Sequence, residues 1–193
     1  MPVFVDSPLA TKVTDVYRSM EYDFNDRAKA RLKAGAELFS FPRLRFTLRG
    51  SDSGEIWQAP DPKIIIAGSG MSNGGRIVRH EKHFLPNGNN TLLLAGYQAP
   101  GTMGRRLQDG EKYVTIDGEV LAVRAHIETV LGYSSHKDSD HLQEFVAGTA
   151  DTVKQVFVVM GEPKAALFLV QRLRDYVGVN ALVPERGKEY LLN

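Results

Sequence analysis

The chain of 193 residues contains no cysteine. Disulfides, thiolate zinc sites and cysteine nucleophiles are therefore excluded, and any metal would need His, Asp or Glu ligands. No apolar run approaches the roughly 20 residues that span a bilayer. The start, MPVFVDSP, has neither the charged beginning nor the apolar length of a signal peptide. A cytoplasmic protein with no membrane attachment is the expectation. Net charge is also scarce, since 24 Lys and Arg against 23 Asp and Glu leave +1. That balance argues against a strong nonspecific nucleic-acid binder, although local patches remain at Arg43, Arg45, Arg49 and at Arg105, Arg106. There is no HxH, no HExxH, no internal repeat and no low-complexity linker.

What is present is 42% apolar residue content, enough for a real core, and one central block from residue 63 to 106. The run Lys63 to Ala67 meets Gly68-Ser69-Gly70-Met71, passes through Asn73-Gly74-Gly75 and enters a segment with helical apolar spacing. A second apolar run, Thr91 to Ala95, comes after the loop 86–90, so the block has the length and order of a parallel β-α-β crossover. Ligands bind such units at the strand C-termini, where a glycine turn and a helix start suit phosphate or carboxylate. Spacing alone leaves both an anion site and a tight turn without ligand open, because this is not GxGxxG and the P-loop lysine is missing. Thr102 to Leu107 reads as a short helix whose Arg105 and Arg106 face the same edge, an arrangement better suited to a phosphate backbone than to a neutral metabolite.

Elsewhere, Pro2 to Val5 reads as a strand. Ser7 or Asp6 caps a helix that starts at Pro8, carries an apolar stripe of Val13, Val16, Tyr17, Met20 and Phe24, and stops at Gly35. The basic run Arg27, Lys29, Arg31, Lys33 reads as a solvated face, and residues 50–54 as a loop. Phe39, Phe41, Phe46 and Trp57 are assigned to packing rather than base stacking. Asp117-Gly118, between Lys112–Ile116 and Val120–Val123, is a hairpin signal, and a soft boundary is placed ahead of it, near residue 109. The last third reads as strand 127–130, helix 139–147, strand 155–160, helix 163–176 with a buried stripe of Ala166, Leu169, Val170 and Leu173, and strand 180–183. The fold class is α/β throughout, a parallel β-α-β part followed by a mixed hairpin and β-α-β part. Of the five histidines, His80 shares a stripe with Ile77 and Phe84 and reads as a satisfied, partly buried imidazole, and His83 as solvated. His136, in a loop before a helix, is the one placed for proton transfer.

GSGMSNGGRIVRH, LLLAGYQAPGTMGRRL, GYSSHKD and VFVVMGEPKA, in this order and spacing, closely resemble the second half of β-CASP metallo-β-lactamase ribonucleases. The resemblance implies a β-CASP-like part over 1–108 and an RNA-specificity-like part over 109–193 that in the family completes the metallo-β-lactamase fold. It implies RNA as the partner, touched by Gly68, Ser69, Gly70, Met71, Gly101, Thr102, Arg105 and Arg106. It also implies that His136 and Asp138 are the remnant of a catalytic motif, with Asp138 orienting the loop or capping the helix. Zinc is the family's cofactor, but none is expected in this chain alone. A histidine ligand of the family is replaced by Met160, a poor zinc donor expected to pack at the end of a core strand. The HxHxDH motif and the ligands after it are not among these residues, so the expectation is a catalytically deficient RNA-binding module. Three other readings remain open: the RNA-recognition half of a zinc ribonuclease whose metal domain comes from another chain, a nucleotide-binding protein, and an assembly module. Exposed apolar surface in the second part is expected to be covered by self-association or a partner chain.

Overall fold

The computed structural model describes residues 1–134 and 136–192, which belong to two compact units, one of residues Met1–Ser134 and one of the remaining, C-terminal residues. The first unit opens with a parallel sheet in which β1 (Val3–Asp6) lies between β2 (Leu44–Phe46) and β3 (Ile64–Ala67). Val5 is opposite both Phe46 and Ile66, and Asp6 is opposite Ala67. The three strands therefore end together, and the segments that leave them gather at one edge. Phe4 and Val5 are buried.

Helix α1 (Pro8–Ser19) starts as the sequence dictates. Ser7 Oγ accepts from the Ala10 N–H at 3.2 Å, and Pro8 sits where its missing N–H is harmless. The single helix expected to reach Gly35 is instead broken. A 3₁₀ turn at Glu21–Asp23 intervenes, and the Asn25 side chain, accepting from the Ala28 N–H at 2.9 Å, caps a second helix, α2 (Asp26–Lys33). Asn competes well as a cap and poorly as a helix interior, which is why the chain restarts there. Gly35 then ends α2 at φ 82°. The expected stripe is also not buried: Val13, Val16, Tyr17 and Met20 are exposed, while the rings of Phe24 and Tyr17 meet Phe39. Periodicity identifies an apolar face and does not supply a surface to cover it. Residues 50–54, expected as a loop, form a 3₁₀ turn at Gly50–Asp52 and the start of α3 (Ser53–Gln58). Here a long-range bond from Ser53 outweighs weak local propensity.

The central block gives α4 (Gly75–Phe84), β4 (Thr91–Ala95) and α5 (Met103–Gln108). Strands β3 and β4 do not pair with each other. The partner of β4 is β7 (His126–Val130), in a separate parallel pair, and β3 lies against β1. Segment length establishes that a crossover fits but not which strand accepts it. Between them the hairpin β5 (Tyr113–Ile116) and β6 (Glu119–Ala122) turns on Asp117 (φ 51°) and Gly118 (φ 78°), both left-handed as a type I′ turn requires. Leu85, Leu107, Val114, Ile116, Leu121 and Ala125 form the core beneath it.

The second unit contains α6 (Ser139–Ala147), β8 (Val156–Phe157), α7 (Pro163–Arg172) running into a π-helical turn at Leu173–Val177, and β9 (Ala181–Leu182), which pairs in parallel with β8. Ala166, Val170 and Leu173 are buried as their spacing predicts, together with Val158, Val179 and Ala181. The strand expected over 155–160 ends at Phe157. Met160 does not pack at its end: it stands fully exposed at φ 64°, in the turn that leads into α7. Among the described residues no helix is long and apolar enough to cross a membrane.

Candidate nucleic-acid interface

The C-terminal edge of the first sheet is organised by Asp6, a carboxylate with no exposed surface. Its Oδ1 accepts from Thr47 Oγ1 at 2.5 Å and from an Arg76 Nη at 2.6 Å. Its Oδ2 accepts from Ser53 Oγ at 2.7 Å and from His80 Nε2 at 2.8 Å. Four donors on two oxygens saturate a carboxylate. Burial pushes the Asp6 pKa up, but the bonds from Thr47, Ser53, His80 and Arg76 outweigh it and hold the value at about 2. The segment after β2, α3 and α4 are thereby tied to the end of β1. Arg76 extends the tie to the carbonyls of Thr47 (2.9 Å) and Leu48 (2.7 Å).

The state of His80 is set by its neighbours. The Trp57 indole N–H, a donor only, reaches His80 Nδ1 at 3.0 Å, so Nδ1 must be the acceptor and Nε2 must carry the proton given to Asp6. His80 is neutral, in agreement with burial lowering its pKa more than the bond to Asp6 raises it. It is the satisfied imidazole that the stripe predicts. His83 is exposed as expected, with its ring stacked on Trp57 at 4.6 Å.

Against this edge lies the loop 68–75. Its left-handed positions are Ser69 (φ 76°), Ser72 (φ 56°) and Gly75 (φ 71°), whereas Gly68 and Gly70 need no positive φ. A Cβ on Gly70 would meet nothing within 4 Å. A left-handed backbone is therefore not what requires glycine at position 70, a distinction the sequence does not make. Three bonds join this loop to the start of α5 and the segment before it: the Gly104 N–H to Met71 O (3.0 Å), the Met103 N–H to Asn73 Oδ1 (3.2 Å), and Gln98 Nε2 to Gly70 O (2.8 Å). Gly70 and Met71 are thus joined to Gln98 and Gly104, on either side of Thr102, whose Oγ1 caps α5 by accepting from the Arg105 N–H. Arg105 and Arg106 leave from α5 and pair with Asp109 (3.1 Å) and Glu111 (2.5 Å).

Gly104 is the closest approach in this junction. A Cβ there would lie 1.9 Å from Gln98 Oε1, 2.9 Å from its Cδ and 3.1 Å from Met71 O. Gln98 is 1% exposed and cannot swing away without losing Gly70. Gly104→Ala should therefore lower stability by about 1–3 kcal/mol, measured as a drop in urea midpoint. It should also raise amide exchange at residues 70–73; unchanged exchange there would separate Gln98 from the loop.

His136 and Asp138 belong to the second unit. His136 is exposed; Ser135, in the same motif, lies outside the described residues. Asp138 caps α6, accepting from the His141 N–H at 3.0 Å and from His141 Nδ1 at 2.7 Å. The backbone bond first, then the ring, lowers the Asp138 pKa, and the same ring contact raises that of His141. Of the two roles the resemblance implies for Asp138, orienting the loop or capping the helix, this is the capping one. His141 carries no role in the sequence reading, although its spacing of three from an N-cap aspartate is the source of the pair.

Sequence reasoning missed Thr47, Ser53, Arg76 and Glu81, and it saw Asp6 only as a possible cap. The available signal was an acidic residue ending an apolar strand, VFVD, at the edge where α/β sheets place their polar chemistry.

Two family models cover this chain: the Beta-Casp domain over residues 1–107 and the Zn-dependent metallo-hydrolase RNA specificity domain over residues 120–184. The chain belongs to the β-CASP metallo-β-lactamase-fold ribonuclease family, and corresponds to its β-CASP and RNA-specificity regions. It is 33% identical over 168 residues to ribonuclease TTHA0252 of Thermus thermophilus, a match covering 87% of this chain and 38% of that protein. It is 34% identical over 178 residues to transcription termination factor FttA of Methanosarcina mazei, covering 88% of this chain and 27% of the relative. The FttA of Thermococcus kodakarensis is 28% identical over 191 residues, 95% of this chain and 29% of that one. The chain thus spans well under half the length of these relatives.

The RNA specificity domain is named for a zinc-dependent hydrolase, and the described residues of the second unit do not by themselves supply a set of zinc ligands. The Asp138 carboxylate is engaged by α6, Met160 offers a thioether from an exposed turn, and among the described residues no group of three His, Asp or Glu comes together.

Proposed function

We propose that this chain is an RNA-binding module of the β-CASP family that touches RNA phosphates through Gly68, Ser69, Gly70, Met71, Gly101, Thr102, Arg105 and Arg106, and that it is catalytically deficient by itself. The observation that carries the reading is the junction of the loop 68–75 with the start of α5. It joins two segments 30 residues apart into one glycine-rich surface at a sheet's C-terminal edge, held by the Met103 bond to Asn73. Arg105 and Arg106 are held by exposed carboxylates. Pairs of that kind are worth about 0–1 kcal/mol, so a phosphate can displace them. The proposed division at residue 108 puts this surface in the β-CASP-like part. His136 and Asp138 are read as the remnant of the family's motif. Exposed Phe145, Leu167, Phe168 and Tyr176 in the second part support its being covered by a second copy or a partner chain, and a cytoplasmic location is kept as the expectation.

The test is metal-quantified protein with end-labelled single-stranded RNA, with and without zinc, on native and denaturing gels. A native shift without shortened products is expected, and Gly70→Val should remove it while leaving the fold intact, since that site is open. Shortened products that vanish with chelator and in His136→Ala would overturn the deficient reading. They would favour a ribonuclease half that completes a metal site, by itself or with another chain. A shift that persists in Gly70→Val would overturn the loop assignment. Saturable binding of a free nucleotide, indifferent to RNA length, would point to a nucleotide-binding protein instead.

A further inference from the structure

Behind the RNA-facing loop sits a carboxylate that the proposed function does not use. Glu81, on α4, is 3% exposed. Its Oε1 accepts a hydrogen bond from Ser72 Oγ, and its Oε2 is buried with no partner among the described residues. Ser72 is 2% exposed, holds a left-handed φ of 56° and donates its N–H to Ser69 O at 3.0 Å, so it is the inward hinge of the loop. The adjacent Gly70 and Met71 carbonyls are the ones gripped by Gln98 and by the Gly104 N–H. A non-glycine residue persists at positive φ only where its surroundings hold it. At Ser72 the side-chain tie is to Glu81.

We propose that Glu81 is a positioning residue for RNA binding: acting through Ser72, its protonated carboxyl holds the loop 68–75 in the shape that meets phosphate, and its ionisation releases that shape. The proposal rests on the reading of this loop as the RNA-binding surface. A neutral carboxyl can remain buried beside one hydroxyl. An ionised one has an unpartnered oxygen to solvate, and the segment bonded to this carboxyl is the loop, through Ser72. The new charge also sits behind the surface that would take an anion. Burial raises the Glu81 pKa to about 7, against which Ser72 is the one resolved opposing influence. Among the described residues no charged group alters it. Its chain neighbours His80 and Lys82 are engaged by Asp6 and Glu119, and Gln98, across the loop, is uncharged. The release therefore falls within the physiological range.

Two measurements on the whole chain test this. Amide exchange at residues 69–74, without RNA, should rise between pH 6 and pH 8 beyond the intrinsic base-catalysed increase. In Glu81→Gln, which imitates the neutral acid, it should not. Single-stranded oligouridylate should bind wild-type protein about fivefold or more weakly at pH 8 than at pH 6, and Glu81→Gln should lose most of that dependence. Ser72→Ala serves as a second variant and should flatten the profile by removing the link. A profile in Glu81→Gln that matches wild type overturns the proposal, as does loop exchange indifferent to both variants. If exchange depends on Glu81 but RNA binds at no pH, the RNA reading of the loop fails and the positioning role for RNA fails with it, leaving a titrating loop. If RNA binds and exchange does not depend on Glu81, the positioning role alone fails.

Discussion

Asp6→Ala is expected to unfold the first unit or bring it close to unfolding. It leaves Thr47, Ser53, His80 and Arg76 facing a hole, and the Arg76 guanidinium, with side-chain exposure of 15%, loses its counter-ion. Removing one member of a buried pair costs about 3–5 kcal/mol, a large share of the roughly 5–15 kcal/mol that holds a domain together. A fall in Tm of about 10 °C or more is expected. Asp6→Asn is the sharper experiment, because it keeps the shape. Its amide must turn an N–H2 toward one pair of donors. Thr47 and Ser53 can rotate a hydroxyl to accept, but Arg76 has no acceptor, and His80 Nε2 must donate while Trp57 occupies Nδ1. In either orientation one donor meets a donor, so Asn should be nearly as harmful as Ala. Trp57→Phe frees Nδ1 and lets His80 take the other tautomer. The double variant Asp6→Asn, Trp57→Phe should then be more stable than the sum of the singles predicts, by about 0.5–3 kcal/mol in a urea double-mutant cycle. Strict additivity would mean that the indole does not fix the ring.

The features legible in the sequence were those set by neighbours within a few residues. Ser7 before Pro8, Thr102 before Met103, Asp138 before Ser139 and the Asp117-Gly118 turn each fix their element through one side chain or one dihedral. The stripe Ala166, Val170, Leu173 was legible because a core lies on that side. The same rule failed on α1, where the stripe is equally regular and stays exposed. Strand partners were not legible either: Ile64–Ala67 and Thr91–Ala95 are similar apolar runs, and nothing in either one says that β1 takes the first and β7 the second.

The candidate site divides in the same way. Its glycine loop and the start of α5 are contiguous segments and could be named from residue types alone. The groups that hold them in place could not. Asp6 meets Ser53 across 47 residues and His80 across 74, and Glu81 meets Ser72 only because α4 folds back under its own preceding loop. Met160 shows the converse error. Its place after an apolar run suggested a strand end, yet a left-handed φ turns it out to solvent.

Asp6 and Glu81 should make stability depend on pH in two opposite ways, their joint contribution being largest near pH 4 where the two regimes meet. Asp6 has a folded pKa of about 2, below its ordinary 3.8, so its contribution is present above pH 3.8 and disappears as pH falls toward 2. That loss amounts to about 2 kcal/mol. Glu81 has a folded pKa of about 7, above its ordinary 4.5. Its contribution is whole below pH 4.5 and is lost as pH rises to about 7, because the unfolded chain releases the proton first; this amounts to about 3 kcal/mol. Other groups titrate over the same range, so the informative quantity is the difference between wild type and Glu81→Gln in urea midpoints taken from pH 4 to pH 8. Glutamine cannot ionise, so the variant should gain on wild type steadily between pH 4.5 and 7 and hold its lead above that. A difference that stays flat would place the Glu81 carboxylate in contact with water or a counter-charge, and would remove the physical basis for loop release as well. A lead that grows over this window while exchange at residues 69–74 stays constant would mean that the buried charge is relieved elsewhere along α4.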